Sequence, residues 1–327
     1  MTTRECDLII VGAGPAGFSA AINGASEGLK IILIDSGPSL GGQARQSSLI
    51  ENYPGFPEGI SGPDLIDLLH RQTRKFNAQI ECPQVASSLE LDGRHRVITT
   101  KAGDLFVSRM AILSGGLSYR KLDAKGVPDL MGKGVVYGAP TCDPLKLGSC
   151  DICIVGGANS AGQAAMHLSR NPEARIRLLI RKGLADQMST YLVERIRVTP
   201  NIEVIEGVEV SEVAGEHMLQ SVQVRRFADG SFDHIDAAHL FIFIGAQPKV
   251  EWLDGSVAMD ERKFIRTGTD LDADWKLARN PFGFETSMPG VFCAGDLRWN
   301  STKRIAAAAG EGAVALQYCH GYSRTDE

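Results

Sequence analysis

The chain has 327 residues, of which 43% are hydrophobic and 22% charged, and its formal net charge is −5 at pH 7. This length favours two domains, and the acidic balance argues against non-specific binding to nucleic acid or to an anionic membrane, which needs a basic surface. The sequence has no apolar run long enough to span a bilayer, no signal-peptide core at its N-terminus and an odd number of scattered cysteines. A cytoplasmic α/β protein is therefore predicted.

The first 35 residues predict a βαβ unit. An apolar strand over residues 6–11 leads into a glycine-rich turn over 12–17 and a helix of small residues that runs to about Gly28. A second apolar strand over 31–34 then ends in Asp35. This order of elements is typical of a dinucleotide-binding domain.

Each glycine of the first turn has a distinct expected role. Gly12 makes the tight turn, Gly14 lets a pyrophosphate approach the backbone, and Gly17 lets the helix pack closely on the strand. The helix N-terminus then faces the phosphates, and Asp35 can accept a hydrogen bond from a ribose hydroxyl. The alternative is a tight turn in a sheet that binds nothing. The predicted contacts in this turn are Gly12, Gly14, Pro15, Ala16 and Gly17.

The same pattern begins again about 144 residues later. A strand over 151–155 leads into a turn over 156–161 and a helix to about Arg170, which is followed by a strand over 176–180. An apolar run over 239–244 is expected to end this second unit. An internal repeat of the βαβ unit predicts a second nucleotide-binding domain.

The second glycine motif is degraded. A methyl group at Ala158 replaces the hydrogen at the position where a pyrophosphate comes closest. Arg181 and Lys182 suit a 2′-phosphate, although such a pair is common on any protein surface. Ordinary nicotinamide binding, a different dinucleotide and a vestigial site all stay open. The predicted contacts are Gly156, Ala158, Asn159, Ser160, Arg181 and Lys182.

The order of motifs along nearly the whole chain resembles the low-molecular-weight thioredoxin reductases. Beside the two glycine motifs, the resemblance rests on residues 41–43 (GGQ), 51–55 (ENYPG), 61–63 (SGP) and 289–296 (PGVFCAGD). It implies an α/β fold with two Rossmann-like domains, in which residues 1–117 and 246–327 form an FAD domain and residues 118–245 are inserted into it.

The resemblance also implies FAD as the cofactor, a small redox protein or a thiol as the substrate, and a homodimer. Asp296 and the backbone around Lys303, Arg304 and Ile305 match positions that bind the flavin end of FAD. The other positions that match FAD contacts of the family are Gly42, Gln43, Asn52, Val85 and Gly295.

The redox motif departs from the family pattern. Where the family carries Cys-Ala-Thr-Cys-Asp, this chain reads Ala139-Pro140-Thr141-Cys142-Asp143. Cys142 matches the cysteine that lies against the flavin and Asp143 matches the proton donor, so both are predicted to be catalytic. Ala139 cannot form the usual loop disulfide. The other interpretation of Cys142 is a small hydrophobic residue buried in a loop.

Cys150 and Cys153 have CxxC spacing but are not expected to be the missing pair. In an extended strand three steps of about 3.3 Å place them about 10 Å apart and on opposite faces, which exceeds the Cα limit of about 7 Å for a disulfide. Cys150 alone, at the start of the strand, is a candidate partner for Cys142. The histidines show no metal-ligand spacing, and no metal is predicted.

Two further departures concern the second cofactor. An arginine that the family carries downstream of the basic pair has no counterpart here, and the segment 269–288, with Trp275, Phe282 and Phe284, is longer than the family needs. Diflavin-linked disulfide oxidoreductases, a similar group, place a second FAD where NADPH would bind.

Three functions are compatible with these patterns. The first is an FAD-dependent thiol/disulfide oxidoreductase, with NAD(P)H or a second FAD in the second domain. The second is a single-cysteine NAD(P)H oxidase or peroxidase that cycles Cys142 through sulfenic acid. The third is a flavin-binding sensor without turnover.

Overall fold

The computed structural model describes residues 2–47, 50, 52–138, 144–253 and 255–325. The chain divides into two compact units, the first built from Met1–Ser118 and Gln247–Glu327 and the second from Tyr119–Ala246. Within the described ranges, no helix combines the length and the hydropathy needed to cross a membrane.

The first unit begins with a run of strands that alternates with two helices. Its elements in chain order are β1 (Thr3–Val11), α1 (Pro15–Ser26), β2 (Ile31–Ile34), α2 (Gly62–Lys75), β3 (Gln79–Glu81), β4 (Ala86–Asp92), β5 (His95–Thr100), β6 (Leu105–Leu113) and β7 (Leu117–Tyr119).

The second unit follows, and the chain then returns to the first. The next elements are α3 (Val127–Leu130), β8 (Val135–Tyr137), β9 (Asp151–Val155), α4 (Asn159–Leu168), β10 (Arg175–Ile180), α5 (Thr190–Val198), β11 (Ile202–Glu206), β12 (Val208–Ala214), β13 (Ser221–Arg226), β14 (Phe232–Asp236), β15 (His239–Ile242) and β16 (Ala246–Pro248). The chain closes with β17 (Val291–Cys293) and α6 (Ile305–Ser323).

The first unit is built on a sheet with the strand order β3-β2-β1-β6-β5-β4, in which β17 also pairs with β6. The strands β2, β1, β6 and β17 run parallel, and all four residues of β2 are buried, as expected for a strand covered on both faces. Helices α1 and α6 pack together on one face. A Cβ built on Gly312 would lie 2.0 Å from the Ala16 carbonyl oxygen, so only glycine allows this approach.

The second unit repeats the parallel arrangement with the order β11-β10-β9-β15-β8, and β12, β13 and β14 form a separate antiparallel sheet. The two cores of this unit are apolar and contain residues such as Ile154 and Leu178 on one side and Val155 and Val222 on the other. The mixed α/β fold class that was predicted from the repeat is confirmed.

Both glycine turns occupy the same kind of place in their sheets. Strand β1 lies between β2 and β6, and β9 lies between β10 and β15, so each turn leaves the carboxyl end of a strand where the winding direction reverses. In open α/β sheets this switch point is where ligands bind.

Candidate nucleotide-binding sites

Two glycines of the first turn are required by the fold itself. Gly12 has a φ of +107°, and a Cβ built on it would lie 2.4 Å from the carbonyl oxygen of Ser114. A Cβ on Gly17 would lie 1.9 Å from the carbonyl oxygen of Gly12. The Ser114 hydroxyl donates a hydrogen bond of 2.8 Å to that same Gly12 oxygen, a contact that no sequence motif predicts.

Gly14 is different, because nothing in the protein requires a glycine there. Its φ of −82° and ψ of −175° suit any residue, and a Cβ built on it would meet no heavy atom within 4 Å. It is the N-cap of α1, and no side chain caps this end of the helix. An uncapped helix N-terminus beside open space is a ready anion site, so the residues present fit a pyrophosphate.

Asp35 braces the same turn from the end of β2. Its carboxylate accepts hydrogen bonds from the backbone N–H of Ala13 at 2.6 Å and of Gly37 at 2.7 Å. The Ala13 carbonyl in turn accepts from Gly41 N–H at 2.8 Å, which brings the predicted Gly42 and its neighbours to the first turn. Asp35 therefore has a structural role in addition to the predicted ribose contact.

Three of the remaining predicted FAD contacts are less closely tied to this turn. The Gln43 amide donates to the Leu117 carbonyl at 2.8 Å. Val85 is 37% exposed and follows Gln84, whose N–H donates to the Asp35 carbonyl. Asn52 lies exposed in a bend.

The turn after β17 carries Asp296. Gly295, with a φ of +77°, approaches the first glycine turn, since a Cβ built on it would lie 3.1 Å from the Cβ of Ala16. Burial raises the pKa of the Asp296 carboxyl, and the nearby Lys303 ammonium partly opposes this shift. Lys303 Nζ donates to the Asp296 carbonyl oxygen at 2.6 Å, while the exposed Arg304 is the N-cap of α6.

Sequence analysis missed a buried ion pair behind Asp296. The carboxylate of Glu311 accepts from Arg298 and from the N–H of Gly295, and the two charged side chains are only 14% and 13% exposed. A signal was present in the sequence: Glu311 is the one carboxylate in the otherwise apolar helix α6. A lone charge in such a helix indicates a buried partner.

The second glycine turn keeps only the first of the three motif glycines, because Ala158 and Ala161 stand where the first turn has Gly14 and Gly17. Gly156 has a φ of +143°, and a Cβ built on it would lie 2.4 Å from the Phe243 carbonyl oxygen. Ala158 takes the place of Gly14 as the N-cap of α4, with a φ of −96°, a ψ of 174° and no side-chain cap. Its exposed methyl group projects from a position where the first turn leaves open space. Asn159 exchanges hydrogen bonds with Ser189, and Ser160 is exposed.

Arg181, the first residue of the basic pair after β10, lies near a carboxylate. Arg181, whose side chain is 67% exposed, lies 3.6 Å from Glu209, which also pairs with Arg225. Lys182 is exposed.

The backbone donors of the loop beyond this pair are also occupied. Gly183 N–H donates to Asp186 at 3.0 Å, and Leu184 N–H donates to Glu206 at 2.8 Å. These two amides are therefore not available to a 2′-phosphate bound beside the basic pair.

The predicted redox residues Cys142 and Asp143 lie outside the described residues. The chain that follows is anchored by Asn171, which is 3% exposed and whose amide nitrogen donates to the carbonyls of Pro144 at 3.1 Å and Gly148 at 2.8 Å. Cys150 directly precedes β9 and therefore lies at the amino end of that strand, opposite to the glycine turn.

Four other cysteines have thiols that are disfavoured as nucleophiles. Burial raises the pKa of Cys6 and of Cys153 to about 12, and it raises the pKa values of Cys293 and Cys319 as well. A thiol with a raised pKa stays protonated at neutral pH and is unreactive. No group of three or more His, Cys, Asp or Glu suited to a metal ion occurs among the described residues.

The long segment 269–288 packs within the first unit. The Arg279 guanidinium lies 4.9 Å from the ring centre of Trp275 and 5.0 Å from that of Phe282, and it pairs with the fully buried Glu285 at 2.7 Å. Phe284 makes an edge contact with a tyrosine of α6. The aromatic side chains that set this segment apart thus have protein partners.

Comparisons with known proteins agree with this architecture. A family model described as pyridine nucleotide-disulphide oxidoreductase matches residues 6–312. The chain is 33% identical over 310 residues to a thioredoxin reductase of Mycolicibacterium smegmatis, which covers 94% of each chain, and 30% identical over 309 residues to one of Streptomyces coelicolor, which covers 94% of this chain and 91% of the relative. The crystal structure of T. acidophilum thioredoxin reductase matches with a TM-score of 0.79 and 27% identity, covering 98% of this chain and 100% of that chain.

Proposed function

Because the chain belongs to the pyridine nucleotide-disulphide oxidoreductase family, in its thioredoxin-reductase-like branch, we propose that it is an FAD-dependent thiol/disulfide oxidoreductase with an altered redox centre and a weakened NADPH site. The observation that carries the proposal is the open position at Gly14. The fold leaves no room for a side chain at Gly12 or Gly17, but it leaves open space at Gly14. The close approach of a ligand phosphate is therefore the physical reason for a glycine at position 14.

The first unit supplies the groups that would hold FAD. The N–H groups at the start of α1 would face the pyrophosphate, Asp35 would accept from a ribose hydroxyl, and Asp296 would accept from a hydroxyl at the flavin end. When bound, FAD supplies reversible two-electron transfer. Gly42, Gln43, Asn52, Val85 and the backbone of Lys303, Arg304 and Ile305 would complete the site.

Cys142 and Asp143 would carry the sulfur chemistry. In this proposal the Cys142 thiolate would attack one sulfur of a substrate disulfide, forming a mixed disulfide at Cys142 and releasing the other sulfur as a thiolate, which Asp143 would protonate as a positioned acid–base group. Two electrons supplied by reduced FAD would then release the second substrate thiol and restore the Cys142 thiolate. A small redox protein or a low-molecular-weight thiol is the proposed substrate, which agrees with the thioredoxin reductase names of the relatives. The loss of the first cysteine at Ala139 means that any intramolecular disulfide needs another partner, with Cys150 the candidate nearest in sequence.

The second unit would bind NADPH weakly. Ala158 narrows the space at the helix N-terminus, and the carboxylates of Asp186 and Glu206 occupy amides next to the basic pair. A dinucleotide without a 2′-phosphate, either NADH or a second FAD, is therefore favoured for this unit. A homodimer is the proposed assembly.

The decisive measurement is the flavin-to-protein ratio of the purified chain together with the identity of the released cofactor. One FAD per chain supports the first site, and two per chain support the second flavin. Protein that stays colourless after incubation with FAD refutes the proposal. Flavin that neither NADH, NADPH nor a dithiol reduces would instead favour the sensor.

Peptide mapping under oxidising and reducing conditions tests the thiol. Cys142→Ser is expected to abolish disulfide turnover, whereas Cys6→Ser, at the amino half of β1 and away from the glycine turn, should leave it unchanged. If Cys142 stays a free thiol in both states and its serine variant turns over normally, the thiol mechanism is wrong. Stable sulfenic acid at Cys142, with hydrogen peroxide consumed in the presence of NAD(P)H, would favour the peroxidase.

A further inference from the structure

Glu311 joins helix α6 to the turn that carries Asp296. Its Oε1 lies 2.6 Å from Arg298 Nη2 and its Oε2 lies 3.1 Å from Arg298 Nε, so the pair is bidentate. The same Oε2 accepts from the Gly295 N–H at 2.8 Å. Charge-assisted bonds of this kind fix geometry as well as contributing energy.

The three bonds hold the turn at both of its ends. Gly295 immediately precedes Asp296, and Arg298 follows it by two residues. The Arg298 guanidinium also donates to the Trp299 carbonyl at 3.2 Å and lies 4.7 Å from the ring centre of Phe284. With so many partners the guanidinium has little freedom, so the backbone on both sides of Asp296 is tied to one carboxylate.

Helix α6 is itself fixed against the helix that faces the pyrophosphate. The close approach of Gly312 to Ala16 leaves no room for the two helices to slide. Glu311 directly precedes Gly312 in α6. The first glycine turn and the Asp296 turn are therefore both held in place by the rigid pair of helices α1 and α6.

We propose that Glu311 is a positioning residue that sets Asp296 for the flavin end of the cofactor, acting through the Gly295 backbone and the Arg298 guanidinium. The inference rests on the proposed FAD function. A displaced acceptor at a binding site costs affinity even when the fold survives. We expect the role to be specific to the flavin end, because the described hydrogen bonds of the first glycine turn run to Ser114, Asp35 and Gly41 and not to Glu311.

This separation can be tested with two ligands of the full-length apoprotein. FAD uses both ends of the site, whereas ADP reaches only the adenosine and pyrophosphate end. Glu311→Gln keeps an acceptor for the Gly295 N–H but removes the charge that holds Arg298. Because Arg298 then loses its charge-assisted hydrogen bonds to the carboxylate, FAD binding is expected to weaken by about tenfold, with ADP binding unchanged.

Glu27→Gln is the matched control. Glu27 also links α1 to α6 through a carboxylate, by contacts to Gln317 and His320, but at the far ends of the two helices. This variant should leave the dissociation constants of both ligands as in the wild type. Arg298→Lys keeps the positive charge, loses the bidentate geometry and should show the same selective loss of FAD affinity. If Glu311→Gln does not fold, Arg298→Lys provides the test instead.

Two results would overturn the inference. Equal weakening of FAD and ADP would show that Glu311 only stabilises the unit, and unchanged binding of FAD would show that it does not position Asp296. Failure of the proposed function looks different, because the wild-type protein would then bind no FAD at all.

Discussion

Gly14→Val tests whether the glycine at this position is needed for folding or for binding the ligand. The backbone at Gly14 is extended and allowed for valine, and a Cβ there meets no heavy atom within 4 Å. The free energy of unfolding of the apoprotein should therefore fall by no more than about 1 kcal/mol, the usual loss when an apolar residue replaces a favoured N-cap residue. The branched side chain would, however, fill the space over the N-terminus of α1.

The same substitution should weaken the binding of FAD strongly. A valine in this space keeps the pyrophosphate from hydrogen-bond distance of the helix N–H groups, and at least two such bonds to a charged group are lost at about 1.5 kcal/mol each. FAD binding should then weaken by at least about 100-fold, which corresponds to about 2.7 kcal/mol. Quenching of FAD fluorescence by the apoprotein measures the binding, and thermal unfolding followed by circular dichroism measures the stability.

Two further variants serve as controls for Gly14→Val. Gly310→Val places the same side chain on an exposed position of α6 with no neighbour within 4 Å, and it should change neither quantity. Gly17→Ala should prevent folding, because its Cβ would overlap the Gly12 carbonyl. The reasoning is refuted if Gly14→Val binds FAD within about threefold of the wild type, or if its apoprotein unfolds.

Three further predictions concern the second unit, the long segment and Asp296. Ala158→Gly should lower the KM for NADH by about tenfold without changing kcat, as measured by anaerobic flavin reduction, because the methyl group no longer crowds the helix N-terminus. Arg279→Ala should lower the free energy of unfolding of the first unit in urea by about 3 kcal/mol, since it leaves the buried Glu285 without its partner. Asp296→Asn should raise the stability of the apoprotein at pH 7, because burial raises the pKa of the carboxyl and so penalises its ionised form.

Each of these has a result that contradicts it. An unchanged KM for Ala158→Gly would show that crowding is not the cause of weak nicotinamide use. For the ion pair, adding Glu285→Gln to Arg279→Ala should restore part of the loss, and simple additivity of the two changes would exclude a buried pair. The gain from Asp296→Asn should vanish as the pH falls below the ordinary pKa of aspartate, where the carboxyl is neutral in both states. A gain that persists in acid would point to packing instead.

The architecture was largely accessible from the sequence because its signals are local. The strand predicted over 31–34 coincides with β2, and the strand predicted over 151–155 coincides with β9. Short runs of buried aliphatic residues ended by glycine leave few alternatives for a chain. The glycines of the turns were equally predictable from the sequence, because a backbone with positive φ favours a residue without a Cβ.

The contacts that join distant segments were not accessible. The bonds of Glu311 to Gly295, of Ser114 to Gly12 and of Asn171 to Pro144 depend on how helices and strands pack, and sequence periodicity carries no information on such partners. The carboxylate beside Arg181 is a similar case, because Glu209 comes from a strand that follows α5. Glu206, which accepts from the Leu184 N–H in the loop beyond the basic pair, also comes from such a strand.

The discontinuity of the first unit has a consequence for biosynthesis. Its core needs Leu316 and Tyr322 of α6 against Phe18 of α1, and β17 must pair with β6, yet roughly 190 residues separate the end of β6 from the start of α6. During translation the second unit can complete its own cores first, while α1 leaves the ribosome with its apolar face uncovered. At about 5–20 residues per second, the 279 residues from the end of α1 to the start of α6 keep that face uncovered for roughly 14–56 s. The nascent N-terminal segment is therefore the part of this protein that a chaperone has most reason to bind.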